Sequence, residues 1–303
     1  MSKKNTTNSK WHKVTEIASW DDFTMDNLYA LYGSLLQEPL TNEYAAALKP
    51  VQVLPYPDCE IVDEASLKIL IAKSNQTIVC NALTVAVDML RSKGAAVRVP
   101  MMGRGGQAQP CEPRGLPDWA GVYHEQDRPS NQIPGDAKLA RKWSSQDIIV
   151  GLVDESLQGV ASQVEWLKPL RQILTYCCWA KSRYGYVITD KELVAIRVRS
   201  RYTHSSDAIL AARRNNILAF RSIPRISTFS NRQELTPNAS LWWIQMLAAQ
   251  SEDIRPTYVP LSMIKTVVNA EVLSANSSSI EKKQKADFSI SRLPVDKWLK
   301  IGA

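Results

Sequence analysis

Apolar and polar positions alternate with two different periods along this chain, and each period marks a different kind of element. Between residues 14 and 50, Leu28, Leu31, Leu35 and Leu36 recur at helical spacing, and the prolines at 55 and 57 then interrupt the chain. Glu64 to Lys73 and Asn75 to Arg91 predict two helices or one bent helix. Val79, Leu83, Val87 and Leu90 form its apolar stripe, and Gly94 is placed as its stop. The period then shortens. Segments 95–102, 116–124 and 132–140 predict three strands, separated by a Gly/Pro/Gln-rich stretch at 103–115 and a polar turn at 125–130. A helix is expected from about Pro169 to Ser182, then a hairpin of 184–189 with 193–199, and an apolar helix over 239–250. Trp242 and Trp243 in that last helix predict a packing surface.

This order predicts an α/β (α+β) fold, a mixed central sheet flanked by helices. The expected organisation is a basic tail at 1–13, a core domain at 14–209 with a helical N-terminal extension, and a C-terminal helical extension at 210–303 packed on it. A polar segment at 274–287 is expected to be flexible.

Composition narrows the class. The chain has 303 residues, 45% of them hydrophobic and 22% charged, enough to bury a sizeable core. No apolar run reaches the roughly 18 residues of a membrane span, and the polar N-terminus predicts no secretory signal. The five cysteines lack zinc-ligand spacing, which predicts reduced thiols and an intracellular protein, nuclear or cytoplasmic. The net charge of +7 is unevenly placed. Between Lys181 and Arg232, eleven basic residues face three acidic ones, an excess of eight that accounts for the whole surplus. Such a stretch suits a polyanion such as nucleic acid, and suits a solvated face equally.

The candidate chemistry sits on the second and third predicted strands. Asp118 lies in Pro117-Asp118-Trp119, and Asp136 and Lys138 lie two apart, so they project to one side of their strand. Pairing of the two strands would set Asp118 beside them. Two carboxylates suit a hard cation such as Mg2+ that keeps several waters, and a lysine can position a nucleophilic water or stabilise developing charge. Arg141 and Lys142 follow this strand, and Arg197, Arg199 and Arg201 alternate on another. Arg141, Lys142, Arg197 and Arg199 are the candidate phosphate contacts. Trp119 and Trp143 flank the site, with packing the expected role of both. His124 ends the second strand, and Gly103-Arg104-Gly105-Gly106 predicts a loop bordering the groove. No G-x-S-x-G elbow or Walker loop is present.

Gln172 and Tyr176, four apart on the following helix, complete a pattern. Asp118, Asp136-x-Lys138 and Gln172-x-x-x-Tyr176, in this order, resemble the PD-(D/E)xK superfamily, the restriction-endonuclease-like and RecB-like nucleases. The resemblance covers roughly residues 60–200. Segments 138–145, 166–176 and 183–198 also look like a group of uncharacterised fungal proteins with such a core. It implies a restriction-endonuclease-like core with Asp118 and Asp136 as metal ligands for Mg2+ or Mn2+ and Lys138 as the catalytic lysine. Gln172 and Tyr176 would orient that lysine and contact substrate backbone. The family often adds an acidic residue on the preceding helix, and Glu64 is the candidate. The implied function is divalent-metal-dependent hydrolysis of DNA or RNA, with duplex-cutting relatives acting as homodimers. The alternative is a catalytically inactive nuclease-fold protein acting as a nucleic-acid-binding or protein-interaction module.

Overall fold

The computed structural model describes residues 11–48, 54–109, 116–123, 129–153, 165–201, 215–225, 234–250, 254–255 and 257–264. Segment 274–287 and His124 lie outside the described residues.

Eight strands form one mixed sheet, in the order β2-β3-β4-β6-β7-β8-β1-β5. They are β1 (Glu16–Ser19), β2 (Met101–Arg104), β3 (Trp119–Val122), β4 (Gly135–Ala137), β5 (Gly151–Leu152), β6 (Tyr184–Ile188), β7 (Glu192–Arg201) and β8 (Asn215–Pro224). β4 runs parallel to β6 and β1 parallel to β8, and the other neighbours are antiparallel. The helices are α1 (Met25–Leu36), α2 (Asn42–Ala47), α3 (Tyr56–Cys59), α4 (Glu64–Ile71), α5 (Thr77–Ser92), α6 (Leu167–Ala180) and α7 (Pro237–Ala248). The mixed sheet flanked by helices is the fold expected from the sequence. No helix among the described residues is long and apolar enough to cross a membrane.

The two sheet faces carry separate cores. Residues at alternate positions of β6 and β7, Tyr184, Tyr186, Ile188, Leu193 and Ala195, pack with α1, α5 and α7. Val187, Val194, Ile196 and Val198 face the other way and pack against α6 through Leu170, Ile173, Leu174 and Cys177. Alternation on a two-sided sheet requires this division. Every residue of α7 is buried, Trp242 and Trp243 included, and Trp243 stacks on Phe23 with ring centroids 4.2 Å apart. A helix apolar on all sides belongs inside a core, and the two tryptophans pack as expected.

Of the two helices or one bent helix expected over 64–91, the second holds, with a π-helical stretch at Ala72–Gln76 joining α4 to α5. One extra residue per turn rotates the apolar stripe of α5 relative to the face that α4 presents. Two strands differ from expectation. β1 lies within a stretch read as helical, and β8 lies beyond the expected boundary at 209. β8 pairs with β7 along ten residues and with β1 along four, so it belongs to the central sheet and not to a helical extension. Residues 11–13 of the expected tail are fastened to α6: Trp11 is buried, and the Arg171 guanidinium donates to the Trp11 and His12 carbonyls.

Candidate phosphodiester site

The site forms where β3 and β4 meet the start of α4. β3 and β4 pair antiparallel at Trp119 and Gly135, so Asp118 reaches across and its Oδ2 accepts the Ala137 N–H at 3.0 Å. The glycine-rich segment helps: Gly105 N–H donates to the Asp118 carbonyl at 3.0 Å, and a Cβ on Gly105 would lie 1.7 Å from the Pro117 carbonyl oxygen. Gly135 is required for a similar reason, because a Cβ there would come within 2.2 Å of the Tyr186 ring. Lys138 N–H continues the parallel ladder to the Ile188 carbonyl, which keeps Asp136 and Lys138 on one side.

Asp136 is 2% exposed, and its Oδ2 stands 2.5 Å from Lys138 Nζ. Burial pushes its carboxyl up to about 7, with Lys138 opposing the rise and Asp118 adding to it. The strand pairing sets Asp118 beside Asp136, with its Oδ2 on the N–H of the next residue. Burial draws the Lys138 ammonium down, but Asp136, Glu64 and Asp118 together outweigh it and leave its pKa raised. Tyr186 lies beneath them, fully buried, its hydroxyl without a hydrogen-bond partner. Burial, then Asp118 and Cys80, push that phenol well above its ordinary value.

Glu64 stands at the start of α4, fixed by a capping box in which Asp63 accepts from Ser66 N–H and Ser66 Oγ accepts from Asp63 N–H. Four residues on, Lys68 Nζ lies 2.5 Å from Asp118 Oδ1. Lys142 Nζ lies 3.3 Å from Glu64, and Arg141 donates to the Val62 carbonyl at 2.6 Å. Each of the three carboxylates thus carries a lysine. Among the described residues no group of three His, Cys, Asp or Glu side chains is placed to hold a metal. Asp118 and Asp136 suit a water-rich Mg2+ or Mn2+, which takes as few as one or two carboxylates. Glu64 pairs with Lys142 and lies close enough to Lys138 to raise its pKa.

Gln172 and Tyr176 share a face of α6 and bond to each other, Nε2 to the hydroxyl at 2.9 Å, while Gln172 Oε1 is buried without a partner. Lys138 itself is held by Asp136. Trp119 is fully buried under Arg104, and Trp143 is buried with its indole N–H on the Trp166 carbonyl, so both pack as expected. Arg197 is a correction. It is 6% exposed, between the rings of Trp20 and Tyr258, with Asp22 at 3.5 Å, so it does not line an open groove. Arg199 beside it is half-buried.

Sequence reasoning missed Lys68 and Tyr186. The four-residue spacing of Glu64 and Lys68 carried the first signal, since both fall on one helical face. For Tyr186 the sequence held no signal, because its approach to Asp118 depends on β4 pairing with β6.

Comparison with protein-family models, curated proteins and solved structures returns no match.

Proposed function

We propose that this chain engages nucleic-acid phosphodiesters through the Asp118–Asp136–Lys138 cluster of a PD-(D/E)xK-type core. The observation that carries the reading is buried Asp136 beside half-buried Asp118, with Lys138 on Asp136, built on two adjacent strands. In the hydrolytic form, Asp118 and Asp136 would hold Mg2+ or Mn2+, which supplies a polarised water and neutralises phosphoryl charge. Lys138 would orient that water or stabilise the negative charge that develops, and Arg141 and Lys142 would contact the backbone.

A second reading is favoured by a specific observation: Lys68 stands on Asp118, and no three-donor group is assembled among the described residues. In that reading the lysines replace the metal permanently, and the chain is an inactive nuclease-type module that binds without cutting. In the arrangement described, this reading fits the charges better.

A cleavage assay on mixed DNA and RNA with Mg2+ or Mn2+ separates the two. Cleavage that falls about a hundredfold or more in both Asp136→Ala and Lys138→Ala supports hydrolysis. Folded wild type that binds nucleic acid without cutting it supports the inactive module. Cleavage that survives both substitutions, or an absence of binding, overturns the assignment of this site.

A further inference from the structure

Lys68 stands on the oxygen of Asp118 that a cation would need. Asp118 Oδ2 is committed to the Ala137 N–H at 3.0 Å, while Oδ1 meets Lys68 Nζ at 2.5 Å. The pair differs from Lys138 and Asp136 in its access to water. The side chains of Lys68 and Asp118 are 30% and 19% exposed, against 16% and 3% for Lys138 and Asp136. An ion pair in partial contact with water is weakly held, so of these two lysines Lys68 is the one a competing cation displaces.

The backbone of Lys68 does not follow its side chain. Leu67 and Ile71, on either side of it in α4, are fully buried, and the capping box of Asp63 and Ser66 fixes the start of the helix. Only the flexible four-carbon stem swings, so a displaced ammonium stays at the mouth of the site. One carboxylate lies within its range on the same helical face, Glu64, and that group already pairs with Lys142 at 3.3 Å. A divalent cation on Asp118 and the displaced ammonium would repel each other at this distance. An anion with several oxygens satisfies both, one oxygen for each cation, and the non-bridging oxygens of a phosphodiester meet that need.

We propose that Lys68 is a metal-released phosphate contact: it caps Asp118 until a divalent cation takes that carboxylate, and then pairs with a backbone phosphate of the bound nucleic acid. The inference rests on the hydrolytic form of the nucleic-acid reading of the Asp118–Asp136–Lys138 cluster. It adds a positioning residue to that site and a reason for metal and nucleic acid to bind cooperatively there.

The test is fluorescence-anisotropy titration of a labelled oligonucleotide with the full chain, in chelator and in saturating Mn2+, or in Ca2+ where Mn2+ supports cutting. Near-physiological salt keeps long-range charge effects small. Lys68→Met is expected to bind the oligonucleotide about tenfold more weakly than wild type with metal, the scale of one lost charge-assisted hydrogen bond. In chelator, where Asp118 holds the ammonium, the loss is expected to stay below about threefold. Should that variant not fold, amine acylation of wild type read by mass spectrometry decides the matter. Labelling of Lys68 is expected to be slow in chelator, to quicken when metal is added, and to slow again with oligonucleotide. An equal loss in both conditions, no loss with metal, or labelling that metal does not change would overturn the proposal. Wild type that binds both metal and oligonucleotide while Lys68→Met binds equally well overturns this inference alone. Wild type that binds oligonucleotide without metal overturns it together with the hydrolytic form, and wild type that binds neither overturns the nucleic-acid reading itself.

Discussion

The two ends of β6 hold charge in opposite ways. At its C-terminal end, Asp118, Asp136 and Glu64 are each met by a lysine: Lys68 of α4, Lys138 two residues along from Asp136, and Lys142. Beside its N-terminal end, Arg197 pairs with Asp22, and Arg183 and Arg197 lie against the Tyr258 ring. The first region is compensated from within, so a metal must compete with Lys68 to enter. In the second, aromatic faces oppose much of the positive charge. Buried charge is tolerated in both only where something opposes it. The difference lies in whether the opposing group is chiefly an ion or an aromatic face.

The largest effect expected of breaking this contrast is at Lys138. Lys138→Met removes the partner of a buried carboxylate and is expected to lower stability by about 2–3 kcal/mol in denaturant unfolding at pH 8. Protonation of Asp136 limits the loss at lower pH. A loss of similar size at pH 5 would mean that Lys138 acts through packing. The reverse sign is expected at the other end. Arg199→Gln relieves repulsion of Arg197 and is expected to leave stability unchanged or raise it by about 0.5 kcal/mol. A clear destabilisation would show that the packing of Arg199 outweighs that repulsion.

Lys68 sharpens the same comparison. Lys68→Met leaves Asp118 and Asp136 facing each other without that cation. It is expected to tighten Mn2+ binding about tenfold in calorimetry, in line with one removed competing charge. Unchanged Mn2+ affinity would mean that Lys68 does not guard the carboxylates.

The pH dependence of Asp136 follows from its raised pKa. Between the ordinary carboxylate range and about 7, the folded chain holds a proton that the unfolded chain has released. The contribution of this group to stability is therefore full below the unfolded value and is lost as pH rises through about 7. Carboxyl carbon NMR is expected to report that midpoint, and saturating Mg2+ is expected to lower it. A midpoint that Mg2+ does not move would favour the inactive module. The smallest effect is at Lys142, which is exposed with a partly exposed partner. Lys142→Ala is expected to shift stability by no more than about 0.5 kcal/mol.

Much of the site was legible in the chain because its parts are local. Asp136 and Lys138 project together through strand alternation alone, and Gln172 and Tyr176 share a face through helical period alone. The apposition of Asp118 needed only one assumption, that adjacent predicted strands pair. β1 and β8 were not legible. β8 has no tight turn joining it to β7, since residues 202–214 intervene, and β1 pairs with a strand about 200 residues away. Four residues within a segment of helical spacing carry no signal of their own. The misplacement of Arg197 has the same origin: β7 alternation put its arginines on one side, but a strand cannot announce what covers that side.

The sequence by itself determined the periods, and with them the helices, the hairpin and the side chains that travel together on one element. Tertiary structure decided which charges meet. Lys68 reaches Asp118 because α4 packs beside β4, to which Asp118 is bonded, and Tyr258 gathers Arg183 from before β6 and Arg197 from β7. Repeating backbone geometry makes side-chain direction a local property, readable over a few residues. Charge compensation is a property of space, set by groups far apart in the chain and by the water that their packing excludes.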